Sequence, residues 1–435
     1  MTHRIGLRRE DKNIWERRVA LTPEAVKRLL DQGIDIEVER FDRRCFPDEA
    51  YEQVDAVLTD DPRGCEIVLG IKEVPVGWFR EGGAYFFFSH TIKGQSYNMA
   101  MLKDMMDKGC TLMAYECVTN DSGLRLIFFS KHAGRVGMMD SLWTLGQRLK
   151  VLGHSNPLED IQPAHKYKDL DAVKAAVRKA GERISSEGMP KAAGPVVIAL
   201  TGGGNVAAGA REVFDELPFE DVAPEELDAW LAANQHTTDK VAMVHLLPDH
   251  FVKPKDSSKS FDFDHYVANP DDYEADFAKW LPKLTMLVHG VYWDDRYPVL
   301  ATHAQFAELF ENGDPKLIAI GDITCDIDGS IQSCVRETEP GDPVYMYDPR
   351  KGEHPFGFEG EGIAVMAVGN LPTELPIEAS QTFSDALEPF IPQMAAANLE
   401  GTLEESGLPG EIRRAVILWR GELTEPFAHL EEFAG

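Results

Sequence analysis

An α/β chain of two parallel-sheet domains is what this sequence predicts, and three observations predict it. Short apolar runs alternate with amphipathic helical patterns along most of the chain, the alternation that builds parallel sheets from βαβ units. The apolar run at 196–200 passes straight into a glycine turn, "TGGGN", and then into a helical pattern. The 435 residues exceed what one core of roughly 150 residues organises, so the alternation divides between two domains.

Taken in order, "RIGLRRE" opens with a strand. Thr22-Pro23-Glu24 starts a helix, with threonine as cap and proline in the first turn, and Gly33 stops it. "DIEVER", "CEIVLGIKEVP", "AYFFFSH" and "TLMAYE" read as further strands, with a helix over "QSYNMAMLKDMMDKG" before the last. Residues 131–153 have apolar positions at helical spacing and read as a helix bridging the two domains. After the strand at 196–200, "FEDVAPEEL" supplies a second strand, and residues 239–273 read as a long polar surface excursion. Strands resume in "LTMLVHGVYW" and "PKLIAIGDITCD", and the last segment carries a turn and an amphipathic helix expected to return to the first domain.

With 43% hydrophobic and 27% charged residues the composition is globular, and no apolar run nears the roughly 18 residues of a membrane span. The start "MTHRIGLRRE" lacks a signal-peptide core. Six cysteines (Cys45, Cys65, Cys110, Cys117, Cys325, Cys334) have neither paired metal-ligand spacing nor the density of a disulfide scaffold. Reduced thiols, a cytoplasmic location and no bound metal are therefore expected. The formal charge of −29 repels nucleic acid and anionic membranes, so neither is an expected partner. An acidic ligand then needs a local arginine.

Gly202, Gly204 and Ala207 satisfy G-x-G-x-x-G/A, with Gly209 further along the helix. Glycine lets the backbone approach a pyrophosphate, and the amides and dipole of the helix start bind it, which here involves Gly202, Gly203, Gly204, Asn205 and Val206. A nicotinamide dinucleotide is the expected ligand, and a merely tight turn the competing reading. The fold expected is two Rossmann-like domains with parallel sheets, an active-site cleft between them, and boundaries at 1–145 plus 355–435 around 146–354.

Ligands of open parallel sheets bind past the carboxyl ends of the strands. "AYFFFSH" ends in His90, "EIVLGIKE" in Lys72 and Glu73, "TLMAYE" in Glu116 and "PKLIAIGD" in Asp322. Strands joined by one crossover bring Lys72 and His90 toward one ligand, and an ammonium and an imidazole shielded beside carboxylates suit proton transfer. For each residue alone the plainer reading is a strand-end cap or a core hydrogen bond. Their coincidence with a dinucleotide turn favours chemistry.

The stretches "RREDKNIWERRVALTPEAV", "LGIKEVP", "FFFSHTIKGQ", "LTGGGNVAAGA", "HGVYW", "IGDITCDIDGSI" and "GNLPTELPIEAS" together resemble the lysine-2-oxoglutarate reductase family, the reductase half of bifunctional aminoadipic semialdehyde synthases. They are more distantly similar to lysine-forming saccharopine dehydrogenases and to alanine dehydrogenases. The resemblance runs from Arg8 to about Pro389. It implies a dinucleotide domain inserted into a discontinuous substrate domain, with Lys72 and His90 as acid and base. Glu73 and Glu116 would tune their pKa values, Arg18 would meet a substrate carboxylate, and Asp322 would lie near the nicotinamide.

The same resemblance implies reductive condensation of L-lysine with 2-oxoglutarate to saccharopine. It implies NADPH as the preferred cofactor with NAD as the alternative, and a separate glutamate-forming saccharopine dehydrogenase as the pathway partner. Arg135 departs from the apolar residue of relatives and sets a charge near the expected cleft. An alanine-dehydrogenase-like or other amine and keto-acid reductase is one alternative, and a non-catalytic nucleotide-binding module another. Read without the resemblance, Asp221 and Glu225, which lie about 20 residues past the glycine turn, tilt the cofactor toward NAD.

Overall fold

The computed structural model describes residues 3–311, 313 and 315–434. They form two compact units, Met1–Phe129 with Pro376–Gly435, and Ser130–Leu375. The first unit begins with β1 (Ile5–Leu7), β2 (Ile36–Glu39), β3 (Val57–Thr59), β4 (Ile67–Leu69), β5 (Ala84–Phe87) and β6 (Thr111–Ala114). These lie in the order β3-β2-β1-β4-β5-β6 and are all parallel. Helices cover such a sheet on both faces, so its inner strands are apolar throughout; β5 is buried at every position. The helix Pro23–Asp31 starts as the sequence predicts, with the Thr22 side chain accepting from the Ala25 amide and Pro23 in the first turn. The strand order reverses between β1 and β4, which opens a crevice at their carboxyl ends.

The second unit holds β7 (Val197–Thr201), β8 (Phe219–Asp221), β9 (Val241–Leu246), a small antiparallel ribbon of β10 (Val252–Pro254) and β11 (Tyr273–Ala275), then β12 (Met286–His289), β13 (Ala319–Asp322), β14 (Val344–Tyr347) and β15 (Ile363–Met366). Its main sheet runs β14-β15-β13-β12-β7-β9-β8, with β14 antiparallel to its neighbour. Alternating side chains of one strand enter opposite cores: Ile198 and Leu200 join the cluster under the helices Ser130–Val151 and Asn205–Phe214, and Val197 and Ala199 the cluster on the other face. The chain then returns to the first unit, where β16 (Val416–Trp419) and β17 (Glu422–Leu423) extend its sheet antiparallel from β6.

Three expectations change. Residues 241–246 are not part of a surface excursion but a buried inner strand, β9, between β7 and β8; six residues between polar flanks are too short to stand out. Helix Ser130–Val151 does not bridge domains. It lies wholly in the second unit, where Val136, Met139 and Leu142 enter the core. The unit boundaries fall at 129/130 and 375/376, whereas 145/146 lies inside that helix and 354/355 precedes β15.

Two glycines explain how the helix sits. A Cβ on Gly134 would strike the Val206 carbonyl, and one on Gly209 the Lys131 carbonyl. The two helices therefore meet backbone to backbone, and Gly209, further along the helix than the glycine turn, serves this contact.

Candidate active site

On the first unit, His90 stands three residues past β5 with φ +47, a left-handed conformation uncommon for a residue with a Cβ. Its N–H donates to Glu116 Oε1 at 2.8 Å, which also accepts from the Ser89 hydroxyl at 3.1 Å. Asn98 Nδ2 donates to the carbonyls of Ser89 at 2.9 Å and His90 at 3.3 Å. Glu116 and Asn98 thus hold the turn that aims the imidazole. The ring stacks on Phe88, and its Nδ1 lies 2.6 Å from Glu73 Oε1. Lys12 donates to the other Glu73 oxygen at 2.8 Å. Burial opposes the Glu73 charge, but the bonds from His90 and Lys12 outweigh it and hold the carboxyl far below the ordinary range. With Nδ1–H directed at this carboxylate, Nε2 is the nitrogen left for a ligand.

Lys72 follows β4. Its amide and that of Ile71 donate to the two oxygens of Glu10, at 3.0 and 2.6 Å, so one carboxylate fixes the loop. Burial, then the Arg18 charge, lowers the Lys72 pKa against the opposing pull of Glu16 and Glu73. The same burial pushes Glu10 up to about 7. Arg18 itself is engaged inward: its Nε and Nη2 donate to Glu16 at 2.8 and 2.6 Å, both side chains are essentially inaccessible, and the guanidinium lies over Phe129.

On the second unit, Gly202 has φ +92, and a Cβ there would meet the Gly290 carbonyl at 3.0 Å. Helix Asn205–Phe214 begins at Gly204 with no side-chain cap, so its first amides are offered to an anion. A bare-backbone cradle at the start of a ten-residue helix fits a dinucleotide pyrophosphate. Beside it, His289 of β12 pairs in register with Asp322 of β13. His289 lies between Thr201 Oγ1 at 2.9 Å and Ser330 Oγ at 2.7 Å, and burial pushes it down to about 3, which keeps it neutral. Asp322 Oδ1 accepts from the Thr324 amide and hydroxyl and the Cys325 amide, while burial lifts its pKa to about 6. Asp322 is therefore both a strand-edge residue and the cap of the next turn.

The structure brings Lys72, Glu73, His90 and Glu116 to one sheet edge, and Gly202, Gly203, Gly204, Asn205, Val206 and Asp322 to another. Two expectations fail. Arg135 does not carry a free charge toward a ligand: its guanidinium donates to Glu212 Oε2 at 3.0 and 2.8 Å, with Lys131 on the same carboxylate, which joins the two helices that meet at Gly134 and Gly209. Asp221 is bound by Arg211 and does not adjoin the glycine strand.

Glu10, Lys12, Asn98 and Arg125 were not legible as site residues. Arg125 lies over the Phe88 ring at 5.4 Å, its Nε donates to the Ile127 carbonyl at 2.8 Å, and burial of its guanidinium lowers its pKa against the opposing pull of Glu116. A second arginine after a strand-end glutamate was the available signal, and in so charged a chain it carries little weight.

Residues 6–136 match the model of the alanine dehydrogenase/PNT N-terminal domain. The chain is 38% identical to an alpha-aminoadipic semialdehyde synthase of Arabidopsis thaliana over 98% of its own length and 41% of the relative's. It thus spans less than half of that protein. It is 24% identical to a saccharopine dehydrogenase [NAD(+), L-lysine-forming] of Emericella nidulans, over 90% of this chain and 92% of that one. In fold it is similar to an L-alanine dehydrogenase structure, with TM-score 0.63 at 16% identity over 99% and 100% of the two chains. Over nearly its whole length the chain is thus similar to an aminoadipic semialdehyde synthase, of which it spans less than half, and more distantly to a lysine-forming saccharopine dehydrogenase, and its fold is that of an L-alanine dehydrogenase structure.

Proposed function

We propose that the chain is a lysine-2-oxoglutarate reductase, which condenses L-lysine with 2-oxoglutarate and reduces the product to saccharopine with a nicotinamide cofactor. The observation that carries this is overlap. The chain covers 92% of a lysine-forming saccharopine dehydrogenase and 41% of a semialdehyde synthase, so the activity favoured is the one a common segment of the two can perform. The site chemistry supports it.

The ε-amine must be neutral to attack a ketone, and the resulting carbinolamine must lose water. Lys72, whose neutral form burial favours, takes the proton of the substrate ammonium. His90, held by Glu73 Oε1 at 2.6 Å from its Nδ1, gives a proton to the departing hydroxyl. Each transfer contributes roughly 10²- to 10⁴-fold. Arg125 biases this edge toward an anionic keto acid. When bound, the nicotinamide supplies the hydride that reduces the imine to a secondary amine. The amides of Asn205 and Val206 and the turn Gly202–Gly204 would hold its pyrophosphate, with Asp322 at the nicotinamide end. The family resemblance favours NADPH, and the name of the Emericella relative carries NAD(+).

The product would be consumed, in the cytoplasm, by a glutamate-forming saccharopine dehydrogenase activity. The test is cofactor oxidation with lysine or ammonium across a panel of keto acids, with saccharopine identified by mass spectrometry. Turnover with ammonium and pyruvate, and none with lysine, would instead favour the alanine-dehydrogenase-like reading that the fold likeness leaves open.

A further inference from the structure

The strand after the glycine-turn helix does not lie beside the glycine strand. In the ordinary dinucleotide fold it does, and a carboxylate at its end receives the adenine ribose. Here β8 is displaced outward and β9 takes the neighbouring place. Thr201 pairs with Leu246, whereas Asp221 pairs with Met243. Asp221 thus stands one strand further out and, by 246 − 243, three residues short of the edge that Thr201 reaches. Its two oxygens are occupied by Arg211 Nη1 and Nη2, each at 2.8 Å.

The residues that leave β9 at the edge are Leu247, Pro248, Asp249 and His250. A Cβ on Gly203 would lie 3.2 Å from Leu247 Cδ2, so this segment borders the middle of the glycine turn. His250 Nδ1 accepts from the Leu247 amide at 3.0 Å, which closes the segment into a turn. The Asp249 side chain is half exposed, 3.3 Å from that same imidazole nitrogen. No lysine or arginine occurs between residues 241 and 252.

We propose that the segment 247–250, with Asp249 as its carboxylate, and not Asp221, receives the adenine ribose of the dinucleotide and selects NAD over NADP. The proposal rests on the nicotinamide reading above and is set against the NADPH preference the family resemblance favours. A 2′-hydroxyl donates to a carboxylate. A 2′-phosphate brings a charge of about −2 to a place whose fixed charge is negative and whose neighbouring sequence holds no guanidinium to bind it.

The experiment is calorimetric titration of the full chain with NADH and with NADPH, without substrates, for the parent protein, Asp249→Asn and Asp221→Asn. The parent is expected to bind NADH about tenfold more tightly than NADPH. Asp249→Asn should remove most of that ratio, and Asp221→Asn should leave it unchanged. A parent that prefers NADPH, or a ratio that moves with Asp221 and not with Asp249, overturns the assignment. Binding of neither dinucleotide overturns the nicotinamide reading itself, and this inference with it.

Discussion

The two sheet edges are built from opposite materials. The edge of the first unit is made of side chains: Lys72, Glu73, His90 and Glu116, steadied by Glu10 and Lys12 through charge-assisted bonds and by Asn98 through bonds to two backbone carbonyls. The edge of the second is made of backbone, with glycines at 202–204, uncapped amides, and a histidine held neutral. Titratable groups move protons and must be held by other charges. Bare backbone can only bind, and its demands are steric. Substitutions at the first edge should therefore appear in rates and pH profiles, and those at the second in affinity and stability.

The largest expected effect crosses that division. Arg18→Ala would strand Glu16, fully buried, without its fork of hydrogen bonds, and should destabilise the first unit by about 3–5 kcal/mol in urea unfolding. A companion Glu16→Leu should restore much of it. If instead Arg18→Ala folds normally and only the KM for the keto acid rises, Arg18 belongs to the ligand. Next come Lys72→Met and His90→Gln, each expected to lower kcat by about 100-fold with the NADH dissociation constant unchanged; a parallel loss of affinity would erase the contrast between the edges.

Gly209→Ala should destabilise the second unit by about 2 kcal/mol in calorimetry, although alanine is the better helix former by about 1 kcal/mol, because its methyl meets the Lys131 carbonyl. Arg125→Ala should raise the KM for 2-oxoglutarate about tenfold, worth about 1.4 kcal/mol, and leave Tm unmoved.

The smallest expected effect concerns buried acids of the second unit. Asp140 accepts from the Ala164 amide, and Glu374 accepts from the amide and Nδ1 of His165, with Lys166 and Tyr167 near them. Burial, then Glu374, pushes Asp140 well up, and burial lifts Glu374 to about 7. The folded state keeps protons that the unfolded chain releases above its ordinary carboxyl range, near 4.5. Stability should therefore fall as pH rises from that range through about 7. A Tm lower by about 3 °C at the alkaline end checks this, and Asp140→Asn should flatten the slope.

Lys72, Glu73, His90 and Glu116 were legible because each closes an apolar run, and a run that ends in a charge marks the edge of a parallel sheet. Glu10 and Lys12 were not, since they lie in a charged segment, "REDK", with no period to single them out. β9 was hidden for the converse reason: Val241–Leu246 is apolar but lies between polar stretches that read as loop. The displacement of β8 could not be read at all. Sequence gives the order of strands along the chain, and their order across the sheet depends on which crossover finds room.

That displacement has an effect on the margin of the sheet. β8 is its last strand on that side, and a terminal strand offers unpaired N–H and C=O groups on which another chain can add. β8 offers only three residues, and two of them, Glu220 and Asp221, hold ionic partners in Lys240 and Arg211. An incoming strand would gain a few hydrogen bonds and would have to lie against, or break, two ion pairs. The carboxylate that is too far out to recognise a ribose thus helps guard the sheet against strand addition.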